Sequence, residues 1–233
     1  MIDNRSTATP GHDVPTVLLV DDDSGVRRSV SRLIRAAGLG VQTFSSPGDF
    51  LCQDLPAGPA CVVLDMYMDG MNGLEVQDAL RRNARQLPVV FISGSATVPT
   101  AAACFKGGAE DFLEKPVRAK ELLDAVHRAL DHDASRSAER AELDNLRRRH
   151  DQLTPREQEV MVLVVAGLLN KQVAGELFIS EKTVKVHRAR VMEKMEVESL
   201  AELVLIAQRL GVTPGSRHDR TAGEAESCLA AIG

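Results

Sequence analysis

The sequence predicts two folds in one chain. The first is a doubly wound α/β domain on a five-stranded parallel sheet. A helical linker joins it to the second, an all-α domain of four helices. Three observations carry this prediction. Five short apolar runs alternate with helix-period segments over the first 130 residues, and runs such as Val17-Leu18-Leu19-Val20 lack the apolar/polar alternation of a half-solvated strand. From Thr154 onward, closely spaced helix caps replace the strands. The length of 233 residues accommodates one large domain or two small ones.

The strand candidates are Thr16–Val20, Val41–Phe44, Cys61–Leu64, Val89–Ile92 and Asp111–Glu114. The segment Ser24–Ala37 places Val26, Val30, Leu33, Ile34 and Ala37 on one helical stripe, ended by Gly38. Repeated βα units predict an open sheet with its ligand at the carboxyl ends of the strands. Residues 131–150 lack Pro and Gly, are rich in charge and helix formers, and place Leu130, Ala138, Ala141 and Leu146 without a sustained heptad. They read as a solvent-exposed helix continuing the last helix of the first domain and acting as a spacer. A short coiled coil is the alternative.

Thr154-Pro155-Arg156-Glu157 forms a capping box with Pro at the first helical position. The helix that follows carries Val160, Val162, Leu163 and Val165 and stops at Gly167. Asn170 is expected to cap a helix over Lys171–Leu177, and Ser180 one over Glu181–Met195. Ser199-Leu200-Ala201-Glu202 reads as another capping box, opening a last helix that closes at Gly211. Two short helices around Phe178-Ile179-Ser180 predict a helix-turn-helix. The termini, residues 1–15 and 212–233, are expected to be disordered.

Composition narrows the function. With 44% apolar, 26% charged and 3% aromatic residues, the chain is neither collagen-like, wholly disordered nor a disulfide scaffold. Cys52, Cys61, Cys104 and Cys228 lack metal-ligand spacing, which disfavours zinc and fits a reduced compartment. The longest apolar run, Val160 to Leu169, is far short of the roughly 20 residues that span a bilayer, so no membrane partner is expected. Met1 to Pro15 lacks the apolar core of a signal peptide, so the chain is expected in the cytoplasm. The net charge of −5 argues against nucleic acid, yet Lys182, Lys185, Arg188 and Arg190 crowd a nine-residue window without an acid. Such a run is either a solvated face or a contact surface.

The chemistry lies at the strand ends. Strand one runs into Asp21-Asp22-Asp23, strand three into Asp65, strand four into Ser93, and strand five into Lys115-Pro116. In a parallel sheet these ends share one edge and converge. Clustered carboxylates there repel one another, and one must take up a proton unless a cation is present. Oxygen ligands around an open crevice suit Mg²⁺, which takes one or two carboxylates plus waters and phosphate. A lysine and a hydroxyl beside them suit the oxygens of a phosphoryl group. Taken singly, Asp23 or Ser24 would be a helix cap and Asp65 part of a polar turn; the four strand ends together argue against that.

These residues resemble the receiver domain of two-component response regulators, with its flavodoxin-like fold, over about residues 16–130. The resemblance implies that Asp65 accepts the phosphoryl group. It implies that Asp21 and Asp22, with Asp65 and the main-chain carbonyl of Tyr67, hold Mg²⁺. It makes Ser93 the switch hydroxyl, Lys115 the phosphoryl contact, Phe112 the rotating aromatic and Lys115-Pro116 a cis peptide. Tyr67 and Ser95 would flank the water that hydrolyses the aspartyl phosphate. One departure is visible: the family's proline four residues after the acceptor is Asp69 here, which implies altered phosphorylation kinetics rather than a dead receiver.

In the helix over Glu181–Met195, Val184, Val191 and Met195 repeat at core spacing, with His187 on their edge as a packing histidine. Lys182, Lys185, Val186, Ala189 and Arg190 share the other side, the mixture expected of a helix seated in the major groove of double-stranded DNA. The run from Leu153-Thr154-Pro155-Arg156-Glu157 to Thr183-Val184-Lys185-Val186-His187-Arg188 resembles the output domain of the LuxR/FixJ/NarL class, over about residues 151–211. That resemblance implies base contacts from Lys185 and Val186 with Ala189 nearby, and phosphate contacts from Lys171, Lys182, Thr183, Arg188 and Arg190.

The expected function is a DNA-binding transcriptional regulator, not an enzyme, activated when a sensor histidine kinase phosphorylates Asp65. Phosphorylation is expected to produce a homodimer, with Leu200, Leu203, Val204 and Ala207 as a second contact between output domains and RNA polymerase as a further partner. A constitutive DNA-binding regulator with a silent receiver is the alternative. An aspartate-nucleophile phosphohydrolase is a third reading, but it would need a second acid where Tyr67 stands.

Overall fold

β-Branched and leucine-rich runs that bury both faces build the centre of the first of two units, and every one of the five expected strands forms. The structure, a computed structural model, describes residues 14–82, 86–95 and 97–212. The tails expected to be disordered and Cys228 lie outside the described residues, apart from the few tail residues at 14–15 and 212. The chain divides into two units between Ala138 and Glu139, and each is described by itself.

In the first unit, β1 (Thr16–Val20), α1 (Ser24–Ala36), β2 (Gly40–Phe44), α2 (Pro47–Leu51), β3 (Ala60–Asp65), α3 (Gly73–Arg81), β4 (Val89–Ser93), α4 (Val98–Lys106) and β5 (Asp111–Glu114) alternate. They lead into α5 (Ala119–Asp151), whose first half belongs to this unit. The strands are all parallel in the order β2-β1-β3-β4-β5. Side chains alternate faces along a strand, so one apolar run supplies two cores. Val17, Leu19, Cys61, Val63, Val90 and Ile92 pack with Val30 and Ile34 of α1 and Leu122, Ala125 and Val126 of α5. Leu18, Val20, Val62, Leu64, Val89 and Phe91 pack with Phe50, Val76, Leu80 and Cys104 on the other face. This is why the runs show no alternation.

Local chemistry sets the helix starts. The Asp23 carboxylate accepts from the Gly25 and Val26 amides at 2.6 and 3.2 Å, which makes Asp23 the cap of α1 and frees Asp21 and Asp22 for the sheet edge. Asn72 and Glu75 form a reciprocal capping box at α3. Chain order reverses direction between β1 and β3, the switch point where open α/β sheets place their ligands. Asp21 and Asp65 end those two strands.

The second unit contains the rest of α5 with α6 (Pro155–Val165), α7 (Asn170–Leu177), α8 (Glu181–Met195) and α9 (Leu200–Leu210). Thr154 and Glu157 make the expected capping box, and Gly167 ends α6 at φ +87°. Val160, Met161, Val164, Val173, Val184, Val191, Met195, Leu203 and Ala207 form its core.

Four expectations change. Asn170 is the first residue of α7 rather than its cap, because Leu169 holds the extended cap conformation and the Asn170 amide oxygen is engaged by Arg188 at 3.3 Å. At α9 the Ser199 hydroxyl caps the Glu202 amide, but the Glu202 carboxylate accepts from Glu198 N–H at 2.9 Å, so the reciprocal bond is absent. Leu203 and Ala207 are buried in the core of their own unit, which removes them from any surface between output domains. The stretch 131–150 is one helix with its neighbours, as expected, but it is more than an exposed spacer. Leu146 is buried, and Asp133 is buried with its carboxylate accepting from the Ala60 amide at 2.9 Å.

Candidate functional sites

The ends of β1, β3 and β5 bring three of the expected groups into direct contact. The Lys115 ammonium donates to Asp21 Oδ2 at 2.8 Å and lies 3.0 Å from Asp65 Oδ2. Carboxylate oxygens of Asp21, Asp22 and Asp65 all fall within 4.8 Å of one another. Asp21 and Asp65 are buried and Asp22 is exposed, so the cluster opens to solvent on one side. A main-chain amide and a guanidinium fix Asp21 from both ends. Its Oδ1 accepts from the Asp23 amide at 2.8 Å, and its carbonyl accepts from the Arg27 guanidinium. Arg27 was not foreseen; nothing in the local sequence marks a side chain six residues away as its donor.

Burial pushes the Asp65 carboxyl above its ordinary value. The hydrogen bond and charge of Lys115 and the Tyr67 amide oppose that rise, while the neighbouring Asp21 charge adds to it. Burial works against the Lys115 ammonium, but the hydrogen bonds and charges of Asp21 and Asp65 outweigh it, and its pKa is raised. Lysine is thus a firmly held cation between two acids.

Ser93 closes β4, fully buried, and its hydroxyl donates to Ser95 O at 3.0 Å and accepts from Ser95 N–H at 3.2 Å. Its carbonyl accepts from the Lys115 amide at 2.7 Å, which ties the β4 and β5 ends together. The Lys115-Pro116 peptide is cis, as expected. Phe112 is half-buried, its ring centroid 6.4 Å from that of Phe91. Tyr67 is half exposed beside the pocket. Asp69 keeps an amide hydrogen that a proline would lack, and donates it to Asp22 Oδ2 at 3.4 Å.

In the second unit, α8 divides its faces as the spacing predicted. Val184, Val191 and Met195 face the core, while Lys182, Lys185, Val186, Ala189 and Arg190 are exposed. Lys171 is exposed at the start of α7. Thr183 is partly withdrawn, its amide donating to the Ser180 hydroxyl at 3.1 Å, and Arg188 is half-buried against Asn170. His187 is half-buried and its Nδ1 is enclosed, as a packing histidine should be. The sequence did not reveal the anchor of α8. Lys194 donates to the buried Glu157 carboxylate at 2.6 Å, across 37 residues of sequence.

A buried acid paired with a lysine at the switch point of a doubly wound sheet, followed by a helix-turn-helix with a basic face, defines a signal receiver joined to a DNA-binding output domain. Residues 17–127 match the response regulator receiver domain, and residues 151–207 match the bacterial regulatory proteins of the luxR family. The chain belongs to the FixJ-like response regulators and is a phosphorylation-dependent, DNA-binding transcription regulator. It is 43% identical over 197 residues to nodulation protein W of Bradyrhizobium diazoefficiens, covering 84% of this chain and 87% of that one. It is 37% identical over 198 residues to the transcriptional regulatory protein FixJ of Azorhizobium caulinodans, covering 85% and 94%. Among solved structures, the response regulator StyR aligns with a TM-score of 0.77 at 43% identity, covering 84% of this chain and 99% of that one. No helix among the described residues is long and apolar enough to cross a membrane.

Proposed function

We propose that Asp65 is the phosphoacceptor and that Asp21, Asp22, Asp65 and the main-chain carbonyl of Tyr67 hold Mg²⁺. The observation that carries this reading is the Lys115 bridge, 2.8 Å to Asp21 and 3.0 Å to Asp65, at the convergent strand ends. Three hard oxygen donors within 4.8 Å suit a small divalent ion, and two of them already need a cation to share their burial. When bound, the ion neutralises charge on the carboxylate and phosphoryl oxygens.

In the transfer step, an Asp65 carboxylate oxygen attacks phosphorus on a sensor kinase phosphohistidine. The new O–P bond forms as the N–P bond breaks, and imidazole leaves. Lys115 releases Asp65 and contacts the phosphoryl oxygens. Ser93 turns its hydroxyl toward them and Phe112 follows inward. Tyr67 and Ser95 flank the water that later hydrolyses the aspartyl phosphate: the water oxygen bonds to phosphorus, the Asp65 O–P bond breaks, and inorganic phosphate leaves.

The receiver occupies residues 16–130, the linker 131–150 and the output domain 151–211. Phosphorylation pairs two receivers through the surface of α4 and β5, where Val98 and Phe105 are exposed. The dimer places two α8 helices one DNA turn apart. Lys185 and Val186 meet base edges with Ala189 nearby, while Lys171, Lys182, Thr183, Arg188 and Arg190 contact phosphates. RNA polymerase is the further partner, and the cytoplasm the compartment.

The test is aspartyl-phosphate formation. Purified protein with Mg²⁺ and a small acyl phosphate should gain one phosphoryl group, mapped to Asp65 by mass spectrometry, and Asp65→Asn should gain none. A label on another residue of folded protein would overturn the assignment.

A further inference from the structure

The recognition helix α8 is held at its carboxyl end by residues that precede the output domain as the luxR-family match begins it. Arg149, near the end of α5, reaches Glu196 Oε2 at 2.6 Å and donates to the Met195 carbonyl at 3.4 Å. That carbonyl is one of the four that a helix leaves without an internal partner. Glu196 itself sits at φ +53°, a left-handed conformation that a side chain with a Cβ adopts only when its surroundings hold it there. One residue before Met195, Lys194 donates to the Gln152 carbonyl at 3.1 Å and to Glu157 at 2.6 Å. A second anchor joins α5 to α9, where Arg209 makes a two-pronged contact with Glu142 at 2.6 and 3.0 Å. Glu142, Leu146 and Arg149 follow the spacing of a single stripe on α5, and Leu146 is buried, as is Leu153 just beyond the end of the helix.

We propose that residues 142–153 form an integral fifth helix and turn of the DNA-binding unit, and that Arg149 is a positioning residue for base readout. The reasoning is one of leverage. At 1.5 Å per residue, Lys185 lies about 17 Å along the axis from Glu196, so a pivot of about 10° at the anchored end carries this base-reading residue by roughly 3 Å. Hydrogen bonds to base edges fail with misplacements of about 1 Å. Contacts from long lysine and arginine side chains to phosphates tolerate such a shift. Loosening the anchor therefore degrades discrimination between sequences while leaving general affinity for DNA in place. This rests on the DNA-binding reading of α8 above.

The test uses the full chain and a duplex enriched by the wild-type protein from a random-sequence pool, with a scrambled duplex as the non-specific probe. Arg149→Met should weaken the enriched duplex by about five- to tenfold. It should leave the scrambled duplex and the salt slope unchanged, and Arg149→Lys should restore part of the loss. Glu196→Gln removes the same ion pair from its acidic side and should weaken specific binding in the same direction, with the double variant little worse than either. A direct phosphate contact by Arg149 predicts the opposite pattern: a salt slope smaller by about one for Arg149→Met, and tighter DNA for Glu196→Gln. Either result would overturn the proposal, as would an equal loss on both duplexes, which marks simple unfolding. Failure of the wild-type chain to enrich any duplex would overturn the DNA-binding reading and this proposal with it; enrichment by a wild type that Arg149→Met matches would overturn this proposal alone.

Discussion

Replacing Glu157 with Gln should remove a large share of the stability of the output unit. Glu157 is 2% exposed and serves two purposes: it closes the capping box on Thr154 and holds the Lys194 ammonium at 2.6 Å. The Lys194 hydrogen bond is the main reason that its carboxyl falls from 4.5 to about 2, with the Thr154 amide and hydroxyl contributing against the cost of burial. A gap of that size corresponds to about 3 kcal/mol between the folded and unfolded titrations. Lys194 is one-third exposed, so solvent screening reduces the expected loss in Glu157→Gln to about 2 kcal/mol at neutral pH. Because the folded pKa is depressed, the stabilisation is complete above 4.5 and disappears as pH falls toward 2. Hydrogen exchange read by mass spectrometry should show α6 and α8 amides of the variant losing protection together at pH 7. Carboxyl-carbon NMR should show Glu157 of the wild type still ionised at pH 3.5. A Glu157 that titrates near 4.5, or a variant whose α6 and α8 exchange as in the wild type, would refute the reasoning.

Lys115→Ala should still accept phosphate on Asp65 by mass spectrometry, yet show no gain in DNA affinity, because the ammonium that responds to the new charge is gone. Lys185→Ala should relax preference at one base position per half-site at a cost of about 1–3 kcal/mol, read by competition binding. Lys182→Ala should instead weaken all duplexes alike and reduce the salt slope by about one. Phe178→Gly should raise the melting temperature of the output unit, with a gain of about 1 kcal/mol. Phe178 is 94% exposed and sits at φ +54°, where glycine carries no Cβ penalty; an unchanged or lower melting temperature would contradict this.

Most of the receiver pocket was legible because parallel topology turns distance in sequence into convergence in space. Once Thr16–Val20 and Cys61–Leu64 read as neighbouring buried strands, Asp21 and Asp65 had to share an edge. The Thr154 cap was legible because its whole signal lies within four residues. Asn170 misled because a good capping side chain turned instead toward Arg188, eighteen residues on. Leu203 and Ala207 show that periodicity reveals an apolar face but not what covers it. The second half of α5 looked like a spacer because it docks through Glu142 and Arg149 as much as through Leu146, and ion pairs across a fold leave no hydrophobic period to read. Lys194 escaped for the same reason, since Glu157 lies 37 residues away, and Arg27 escaped because its partner six residues back is a main-chain carbonyl that no residue type marks.

The central claim is that charge added at Asp65 changes what α8 does on DNA. A phosphoryl group brings roughly −1.5 to −2 charges to a site where one lysine already balances two buried acids. Coupling between distant sites is typically 1–3 kcal/mol, or about 5- to 150-fold in affinity. The direct measurement is DNA affinity and sedimentation of the same protein before and after stoichiometric phosphorylation. The account predicts a shift from monomer to dimer with DNA affinity rising by at least about fivefold, and neither change in Asp65→Asn. A phosphorylated protein that remains monomeric and binds DNA as the unphosphorylated form does would contradict it.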